Sequence, residues 1–159
     1  MIRVNIIALG RLKEKYLSAA CEEYGKRLKG YCNFEITELE PVRLPEKPSE
    51  TEIQKALSKE AEMILSKIPK ESTVFAMCIE GKQLSSESFA EKISLAQNSG
   101  RGITFIIGSS YGLSDEIKRR ADFKMSVSPM TFPHQLFRVM LLEQIYRGFK
   151  INEGSAYHK

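Results

Sequence analysis

Two continuous apolar runs constrain the fold of this chain more than any other feature of its sequence. One run extends from Thr73 to Ile79 and the other from Ile103 to Ile107. Neither shows the period-two alternation of a strand that has one face in water. Such runs are typical of strands in a parallel sheet that helices cover on both faces. We therefore expect a layered α/β protein.

The rest of the chain alternates between strand and helix patterns. Further strands are predicted from Ile2 to Leu9, Phe34 to Leu39 and Phe123 to Ser128. Helices are predicted from Tyr16 to Leu28, from Ile53 to Ile68, from about Ser86 to Gln97, from Leu113 to Ala121, and from Leu136 to Phe149. The order βαβαβαβαβα predicts one α/β domain over residues 1–159, with a mostly parallel sheet and helices on both faces.

Several residues mark the expected helix ends. The sequence Ser49-Glu50-Thr51-Glu52 has the form of a capping box, and Ser85 is placed to cap the third helix. Gly30 stands where a helix C-terminal glycine is common. Thr131 is the expected cap of the last helix, with Pro133 in its first turn.

The composition excludes several classes of protein. At 159 residues and 42% hydrophobic content, the chain can form a core without disulfides or a metal. Its cysteines, Cys21, Cys32 and Cys78, are odd in number and lack a Cys-x-x-Cys pair, as in a reduced cytoplasmic protein. With two histidines only, the usual His/Cys metal site cannot be assembled, so we expect no metal. There is no signal peptide and no apolar run of the roughly 20 residues that span a bilayer, so we expect no membrane association.

The net charge of +4 is small but unevenly distributed. Seven basic and three acidic residues lie between Arg3 and Lys29, whereas seven acidic and four basic residues lie between Glu38 and Glu62. The N-terminal segment is thus able to face a polyanion. A solvated helix face explains the same pattern, and charge alone favours that explanation.

Ligands of parallel sheets bind at the carboxyl ends of the strands, which directs attention to three segments. These are Glu80-Gly81-Lys82, the loop from Gly108 to Gly112, and the loop from Ser128 to Pro133. The loop after the first strand has one glycine and no dinucleotide fingerprint, and the chain has no P-loop motif. Gly108 and Gly112 permit close approach of a ligand to the backbone, although a plain strand-to-helix turn also uses glycine.

The last helix and the tail carry further polar candidates. In the first turn of that helix, the positive end of the dipole should keep His134 neutral; it either binds a ligand or makes a structural hydrogen bond. Glu143 and Arg147 form an i,i+4 pair, commonly a simple helix ion pair. The terminal Tyr157, His158 and Lys159 are suited to stacking on a base and contacting phosphate, although such tails are often frayed.

These segments together resemble one family, the bacterial ribosomal RNA large subunit methyltransferase H family of the SPOUT class. The resemblance extends essentially from end to end. It is carried by Leu12-Lys13-Glu14-Lys15-Tyr16, Ile106-Ile107-Gly108-Ser109, Tyr111-Gly112-Leu113, Met130-Thr131-Phe132-Pro133-His134-Gln135, Glu143-Gln144-Ile145-Tyr146-Arg147 and Tyr157-His158-Lys159. The Thr-Phe-Pro-His-Gln segment combined with the terminal Tyr-His-Lys is highly specific.

The resemblance implies an enzyme that transfers a methyl group from S-adenosylmethionine to N3 of a pseudouridine in 23S rRNA, on the assembled 70S ribosome. It also implies a homodimer and a deep trefoil knot near the C-terminus, a rare exception to unknotted topology. Lys13, Lys15 and the tail are the expected RNA contacts.

The resemblance also implies site residues. The cofactor pocket would involve Met77, Gly108, Val127, Ser128, Pro129, Met130, Thr131 and Phe132. His158 would act as base or would orient the target, Tyr157 would stack on the base, Arg147 would contact phosphate or the developing anion, and Glu143 would hold Arg147. The chain departs from many relatives at Ser109, where they have glycine, and at Glu153, where a basic residue is common.

Two other classes of protein would share some of these sequence features. A non-catalytic ribosome-binding module would share the basic surface but would not need the late glycine loops. A methyltransferase acting on a small molecule would bind the same cofactor without RNA.

Overall fold

The computed structural model describes all residues from 1 to 159 and shows ten alternating elements. The strands are β1 (Ile2–Leu9), β2 (Cys32–Leu39), β3 (Ser72–Gln83), β4 (Gly102–Ile107) and β5 (Phe123–Ser126). The helices are α1 (Lys15–Leu28), α2 (Glu50–Lys67), α3 (Ser86–Asn98), α4 (Asp115–Arg120) and α5 (His134–Asn152). The predicted alternation is confirmed. The run from Ile103 to Ile107 is buried throughout, whereas the first run is buried from Val74 to Met77 and its last residue, Ile79, is 57% exposed.

The five strands form a single sheet in the order β2-β1-β4-β3-β5. Every neighbouring pair is parallel. β4, in the centre, pairs with β1 on one side and with β3 on the other. The carboxyl ends of β3, β4 and β5 therefore lie together at one edge of the sheet.

Helices cover both faces of the sheet, as predicted. The larger cluster joins α1, α3 and α5 to Val4, Phe75 and Phe105, and the rings of Phe75 and Phe105 lie 5.0 Å apart. The smaller cluster joins α2 and α4 to the opposite face, where Ile7 and Ile106 are fully buried. Each such side chain contributes roughly 1.5–3 kcal/mol by its removal from water.

Two of the predicted helix caps are confirmed. The Ser49 side chain accepts a hydrogen bond from the Glu52 amide, and the Glu52 side chain accepts one from the Ser49 amide. Ser85 accepts from the Ser88 amide at the start of α3. Both contacts satisfy amides that lack partners within the helix.

Of the other two expected helix ends, one is confirmed and one is wrong. Gly30 directly follows Lys29, the C-terminal cap of α1, as expected, although its φ is not positive. Thr131 does not cap the last helix, which begins at His134 with Pro133 in the N-cap position and no side-chain cap. The Thr131 position therefore lies before the helix, in the preceding loop.

β3 is longer than its apolar run, and this alters one of the three expected loops. Glu80, Gly81 and Lys82 belong to the strand, and its register against β5 shifts between Met77 and Lys82. A Cβ on Gly81 would lie 2.6 Å from the Met125 carbonyl carbon. Glycine there lets β3 and β5 approach each other closely.

Arg138 attaches α5 to the edge of the sheet. This residue is 4% exposed, and it donates to the Glu38 carboxylate at 2.7 Å and to the Gly10 carbonyl oxygen at 3.2 Å. None of the five helices is both long and apolar enough to cross a bilayer.

Candidate active site

A cavity of about 390 Å³ lies at the carboxyl ends of β3, β4 and β5. Seven of the eight residues that the sequence predicted for a cofactor pocket line it: Met77, Gly108, Val127, Ser128, Met130, Thr131 and Phe132. Pro129 lies in the same loop but is not part of the lining. The volume falls within the range of small-molecule sites, so the cavity is the primary candidate for a ligand site.

Glycine is required in the loop after β4. A Cβ on Gly108 would lie 2.3 Å from the Gly112 carbonyl oxygen, and Gly112 itself has a φ of +81°. The Gly112 amide donates to the Ser109 carbonyl oxygen at 2.8 Å, which closes the loop. Only glycine fits both positions without strain, and backbone groups therefore form this wall of the cavity.

Ser109 connects this loop to a buried carboxylate. Its hydroxyl donates to Oε1 of Glu60 at 2.8 Å, and the Val42 amide donates to Oε2 at 2.9 Å. Glu60 is only 4% exposed. The carboxylate thus joins α2, the segment after β2 and the cavity loop.

The loop after β5 is held by short-range hydrogen bonds. The Ser126 hydroxyl donates to the Ser128 carbonyl oxygen at 3.0 Å, and the Met130 amide donates to the Ser128 hydroxyl at 2.9 Å. The Met130 side chain is 74% exposed, and Val127 is also exposed at this edge. The loop therefore presents apolar groups around the cavity.

His134 lines the same cavity from the start of α5. Partial loss of water contact lowers the pKa of its imidazole, so the ring is neutral at pH 7, as predicted from its position. The next residue, Gln135, accepts a hydrogen bond from the Lys13 amide at 2.9 Å. That bond places the basic segment before α1 beside the cavity loop.

One ion pair lies at the cavity wall. Lys118 of α4 contacts the Glu80 carboxylate, and both residues line the cavity. A side-chain hydrogen bond from Lys118 lowers the pKa of Glu80. The cavity therefore contains one fixed negative and one fixed positive group among largely apolar walls.

A second cluster is built around Glu143 of α5. Its Oε1 accepts from Nε and Nη2 of Arg147 at 2.9 and 2.6 Å. Its Oε2 accepts from the hydroxyls of Tyr24 and Tyr157 at 2.6 and 2.9 Å. The predicted Glu143–Arg147 pair is thus present, and Tyr157 of the tail joins it.

Hydrogen bonds control the ionisation of this cluster. Burial alone would raise the pKa of Glu143, but donation by Tyr24, Arg147 and Tyr157 brings it below its usual value. Burial, together with the hydrogen bond to Glu143, raises the pKa of Tyr24 to about 12. Glu143 is therefore anionic and Tyr24 neutral at pH 7.

His158 continues the cluster outward. Its Nδ1 lies 3.1 Å from Nη1 of Arg147, and its Nε2 lies 2.8 Å from Oε1 of Glu87. Guanidinium nitrogens only donate hydrogen bonds, so Nδ1 is the acceptor of the bond from Arg147. The ring proton is then on Nε2, which donates a hydrogen bond to Glu87. The tail is thus fastened to α5 and α3, and both imidazole nitrogens are engaged.

A further cavity of about 390 Å³ lies between the first cavity and the Glu143 cluster. It shares Met125, Ser126 and Val127 with the first cavity and reaches Glu143 and Gln144 on α5. The Ser86 hydroxyl donates to Gln144 Oε1 at 2.7 Å. Glu143, of the predicted catalytic residues, and Val127, of the predicted cofactor residues, therefore line one adjoining space.

Sequence reasoning missed several partners in these clusters: Glu60, Tyr24, Glu87 and Lys118. Glu60 had a detectable signal, because it falls on the apolar stripe of α2 between Leu57 and Ala61. Glu153, a departure from relatives, contacts Lys150 and accepts from the Tyr31 hydroxyl at 3.1 Å. No pattern in the sequence pairs these residues across such separations.

The protein is a parallel α/β domain with a glycine-walled cavity at the carboxyl edge of its sheet. Two solved structures, each 13% identical, share the fold. A structure described as giving insights into 2-OH methylation of C/U34 on tRNA has a TM-score of 0.51, with 96% of this chain and 98% of that chain covered. A methylase-family protein from Neisseria gonorrhoeae has a TM-score of 0.52, with 91% and 82% covered.

The chain belongs to the SPOUT methyltransferase family: residues 2–158 match the family described as "Predicted SPOUT methyltransferase". Ribosomal RNA large subunit methyltransferase H 1 from Clostridium perfringens (strain SM101) is 48% identical, with 99% of this chain and 100% of the relative covered. Ribosomal RNA large subunit methyltransferase H from Clostridioides difficile shows the same identity and coverage. A Methanococcus maripaludis protein that bears this name provisionally is 52% identical, with 99% and 100% covered.

Proposed function

We propose that this protein methylates N3 of a pseudouridine in 23S rRNA, with S-adenosylmethionine as methyl donor and the assembled 70S ribosome as substrate. The observation that carries the proposal is the adjoining space between the glycine-walled cavity and the Glu143 cluster. Full-length similarity to relatives named as ribosomal RNA methyltransferases supports the substrate class. The proposal includes a cytoplasmic location, because a ribosomal substrate would be met there.

The first cavity fits S-adenosylmethionine in size and chemistry. Met77, Phe132 and their apolar neighbours suit an adenine ring, and the absence of a side chain at Gly108 leaves backbone groups open to polar parts of the cofactor. Val127, Ser128, Met130 and Thr131 would close the cavity from the loop after β5, with Pro129 stiffening that loop. The Glu80 carboxylate is a suitable partner for a cationic group.

The adjoining cavity suits the target base. Tyr157, exposed at the outer side of the Glu143 cluster, is placed to stack on a base, as RNA-binding aromatic residues do. Arg147 holds Glu143 through two of its nitrogens and has Nη1 directed to His158. It is the group that would contact phosphate or the anion that develops on the base.

The chemical step requires a proton to leave the target nitrogen. When bound, S-adenosylmethionine supplies a methyl group on a sulfonium centre. N3 of the base loses its proton as the N–CH3 bond forms and the S–CH3 bond breaks. Because Nδ1 of His158 accepts from Arg147, its lone pair becomes free only when that contact opens. His158 would then take the proton or orient the base, contributing about 10²- to 10⁴-fold.

The proposal includes a homodimer and a trefoil knot near the C-terminus of this single methyltransferase domain. Two copies carry twice the charge of one, +8 from +4 each, which favours association with RNA. A tail released from Glu87 would be free to complete the site of a partner subunit. Lys13, close to the cavity loop through its hydrogen bond to Gln135, and Lys15 would contribute RNA contacts.

The test is transfer of labelled methyl from S-adenosylmethionine to purified 70S ribosomes, with separated large subunits and free nucleosides as comparison substrates. We expect label in 23S rRNA of the 70S particle and a reverse-transcriptase stop at the modified base, because N3 lies on its pairing edge. Label in free nucleosides would favour the small-molecule enzyme. Absence of both label and stop with folded protein would favour a non-catalytic ribosome-binding module and overturn the proposal.

A further inference from the structure

The largest cavity of the three described lies at the opposite end of the sheet from the methyl-transfer site. This amino-end basin has a volume of about 790 Å³ and is surrounded mainly by polar residues. It lies at the starts of β1, β3 and β4, next to the C-terminal end of α3. Since the six residues of β4 extend over about 20 Å, the basin is well separated from the first cavity.

The basin follows from the way the second face of the sheet is covered. α2 and α4 pack against Ile7, Leu9, Ala76 and Ile106, toward the carboxyl end of the strands. The same face carries Asn5, Ser72 and Thr104 toward the amino end, where they line the basin. Ser72 and Thr104 share a hydrogen bond of 2.6 Å and so satisfy each other. The amino half of this face is thus polar, and these three buried side chains lie at the bottom of the basin.

Asn5 is the unusual group in the floor. Its side chain belongs to a residue only 6% exposed. Oδ1 accepts from the Thr37 hydroxyl at 3.4 Å, whereas no protein acceptor receives a hydrogen bond from the amide nitrogen. This nitrogen is not fully buried, since Arg138 Nε is the fully buried side-chain polar atom that lacks a partner in the protein. This amide group therefore offers an unused donor to whatever enters the basin.

The charges around the basin are mostly positive. Arg3, Lys70 and Arg101 line it, and none of the three forms an ion pair within the protein. Arg101 donates from Nη2 to the Ser72 carbonyl oxygen at 2.9 Å, which orients its guanidinium group. Glu71 is the single acidic residue in the lining. The basin is complementary to an anion with several charges.

We propose that the amino-end basin binds the sugar-phosphate backbone of the RNA substrate, as a contact remote from the methyl-transfer site. Arg3, Lys70 and Arg101 neutralise phosphates, and the amide of Asn5 donates to a phosphate or ribose oxygen. RNA also offers 2′-hydroxyl groups, which suit the amides of Asn33 and Gln97 in the same lining. This inference rests on the proposed function for the identity of the RNA but assigns a site that methyl transfer itself does not require.

The test compares variants that change the net charge of the basin in opposite directions. Arg3→Gln/Lys70→Gln removes two positive charges, and Glu71→Gln removes the negative one. Lys55→Gln/Lys59→Gln is the matched control, because it removes two charges from exposed positions on α2 outside the basin. Binding to a 23S rRNA transcript is measured by filter retention between 50 and 200 mM salt, and KM and kcat are measured with 70S ribosomes.

We expect the Arg3/Lys70 variant to bind the transcript about 10-fold more weakly at low salt. Each lost phosphate contact should reduce the log–log salt slope by roughly 0.7–0.9. KM for ribosomes should rise while kcat at saturation stays unchanged. Glu71→Gln should tighten binding, and the control should change it less than about twofold. Asn5→Asp, nearly identical in size, should weaken binding by placing an anion in the floor.

Each outcome separates this inference from the proposed function. If the basin variants and the control bind alike while the wild type methylates ribosomes, the basin is not an RNA contact and the proposed function stands. If the wild type methylates no RNA but the basin variants still lose RNA binding in the expected order, the proposed function fails and the basin assignment holds. Circular dichroism spectra identical to that of the wild type confirm that the variants are folded.

Discussion

The hydroxyl of Ser109 donates a hydrogen bond of 2.8 Å to the carboxylate of Glu60, although 49 residues separate the two. One partner lies in the loop that walls the candidate cofactor cavity, and the other is buried on α2. The second oxygen of Glu60 accepts from the Val42 amide. A helix outside the cavity thus determines the position of a cavity loop.

Replacing Ser109 by alanine should weaken cofactor binding by about 5- to 10-fold. The substitution removes the tether and leaves one oxygen of a buried carboxylate without a donor, which costs on the order of 1–3 kcal/mol. Calorimetric titration with S-adenosylmethionine measures the effect. Ser110→Ala is the control, because Ser110 lines the same cavity but its hydroxyl bonds to no protein group. Equal affinities for the two variants would show that the tether does not position the loop.

Replacing Gly108 by alanine should abolish measurable cofactor binding. The new Cβ would lie 2.3 Å from the Gly112 carbonyl oxygen, so the loop must move. Gly30→Ala is the comparison, since nothing lies within 4 Å of its added Cβ and its φ is ordinary. Cofactor titration and thermal melting distinguish loss of the site from loss of the fold. A Gly108 variant with wild-type affinity would exclude this wall from the cofactor site.

Replacing His158 by alanine should lower kcat for methyl transfer by about 10²- to 10⁴-fold. Its affinity for S-adenosylmethionine should remain within about twofold, because His158 lies outside the lining of the first cavity. Single-turnover methylation of ribosomes gives the rate. Glu87→Gln keeps the imidazole but weakens its contact to α3, so it should retain most activity. A wild-type rate for His158→Ala would remove the residue from the chemical step.

Tyr24 should titrate with a pKa of about 12 in the folded protein. Burial and the hydrogen bond to Glu143 favour its protonated form, so its contribution to stability is present below pH 10 and is lost as the pH rises toward 12. Tyrosinate absorbance near 295 nm should show this late step in the wild type. The step should be absent in Tyr24→Phe, whereas its persistence would assign it to another tyrosine.

Replacing Glu143 by glutamine should destabilise the protein at neutral pH more than in acid. The pKa of Glu143 lies below 4.5 in the folded protein, so the ionised carboxylate stabilises the fold above pH 4.5 and this contribution is lost as the pH falls through the lower folded value. Denaturant unfolding at pH 7 and pH 3 measures the difference. The variant should have a lower free energy of unfolding than the wild type at pH 7, and the difference between the two should be smaller at pH 3. An equal difference in unfolding free energy at both pH values would show that the ionised carboxylate of Glu143 does not stabilise the fold.

The elements of the fold could be predicted because their signals are local. The run from Ile103 to Ile107 contains its own evidence of burial, and the capping box at Ser49 and Glu52 lies within four residues. The prediction for Thr131 was wrong, because threonine suits several positions near a helix start and α5 begins only at His134.

The site could be predicted only in part. The positions suggested by resemblance, among them Gly108 and Phe132, do share one cavity. Their roles in binding stay predictions. The tethers between Ser109 and Glu60 and between His158 and Glu87 depend on three-dimensional packing over separations of 49 and 71 residues. A single sequence contains no periodic signal for such pairs.

The pairing of β1 with β4 has a consequence for how the protein is made. Val4 lies opposite Ile103 in the sheet, so about 100 residues are synthesised after β1 before its inner neighbour β4 is complete. Until then one edge of β1 is open to association with other chains. Such distant pairing also slows folding.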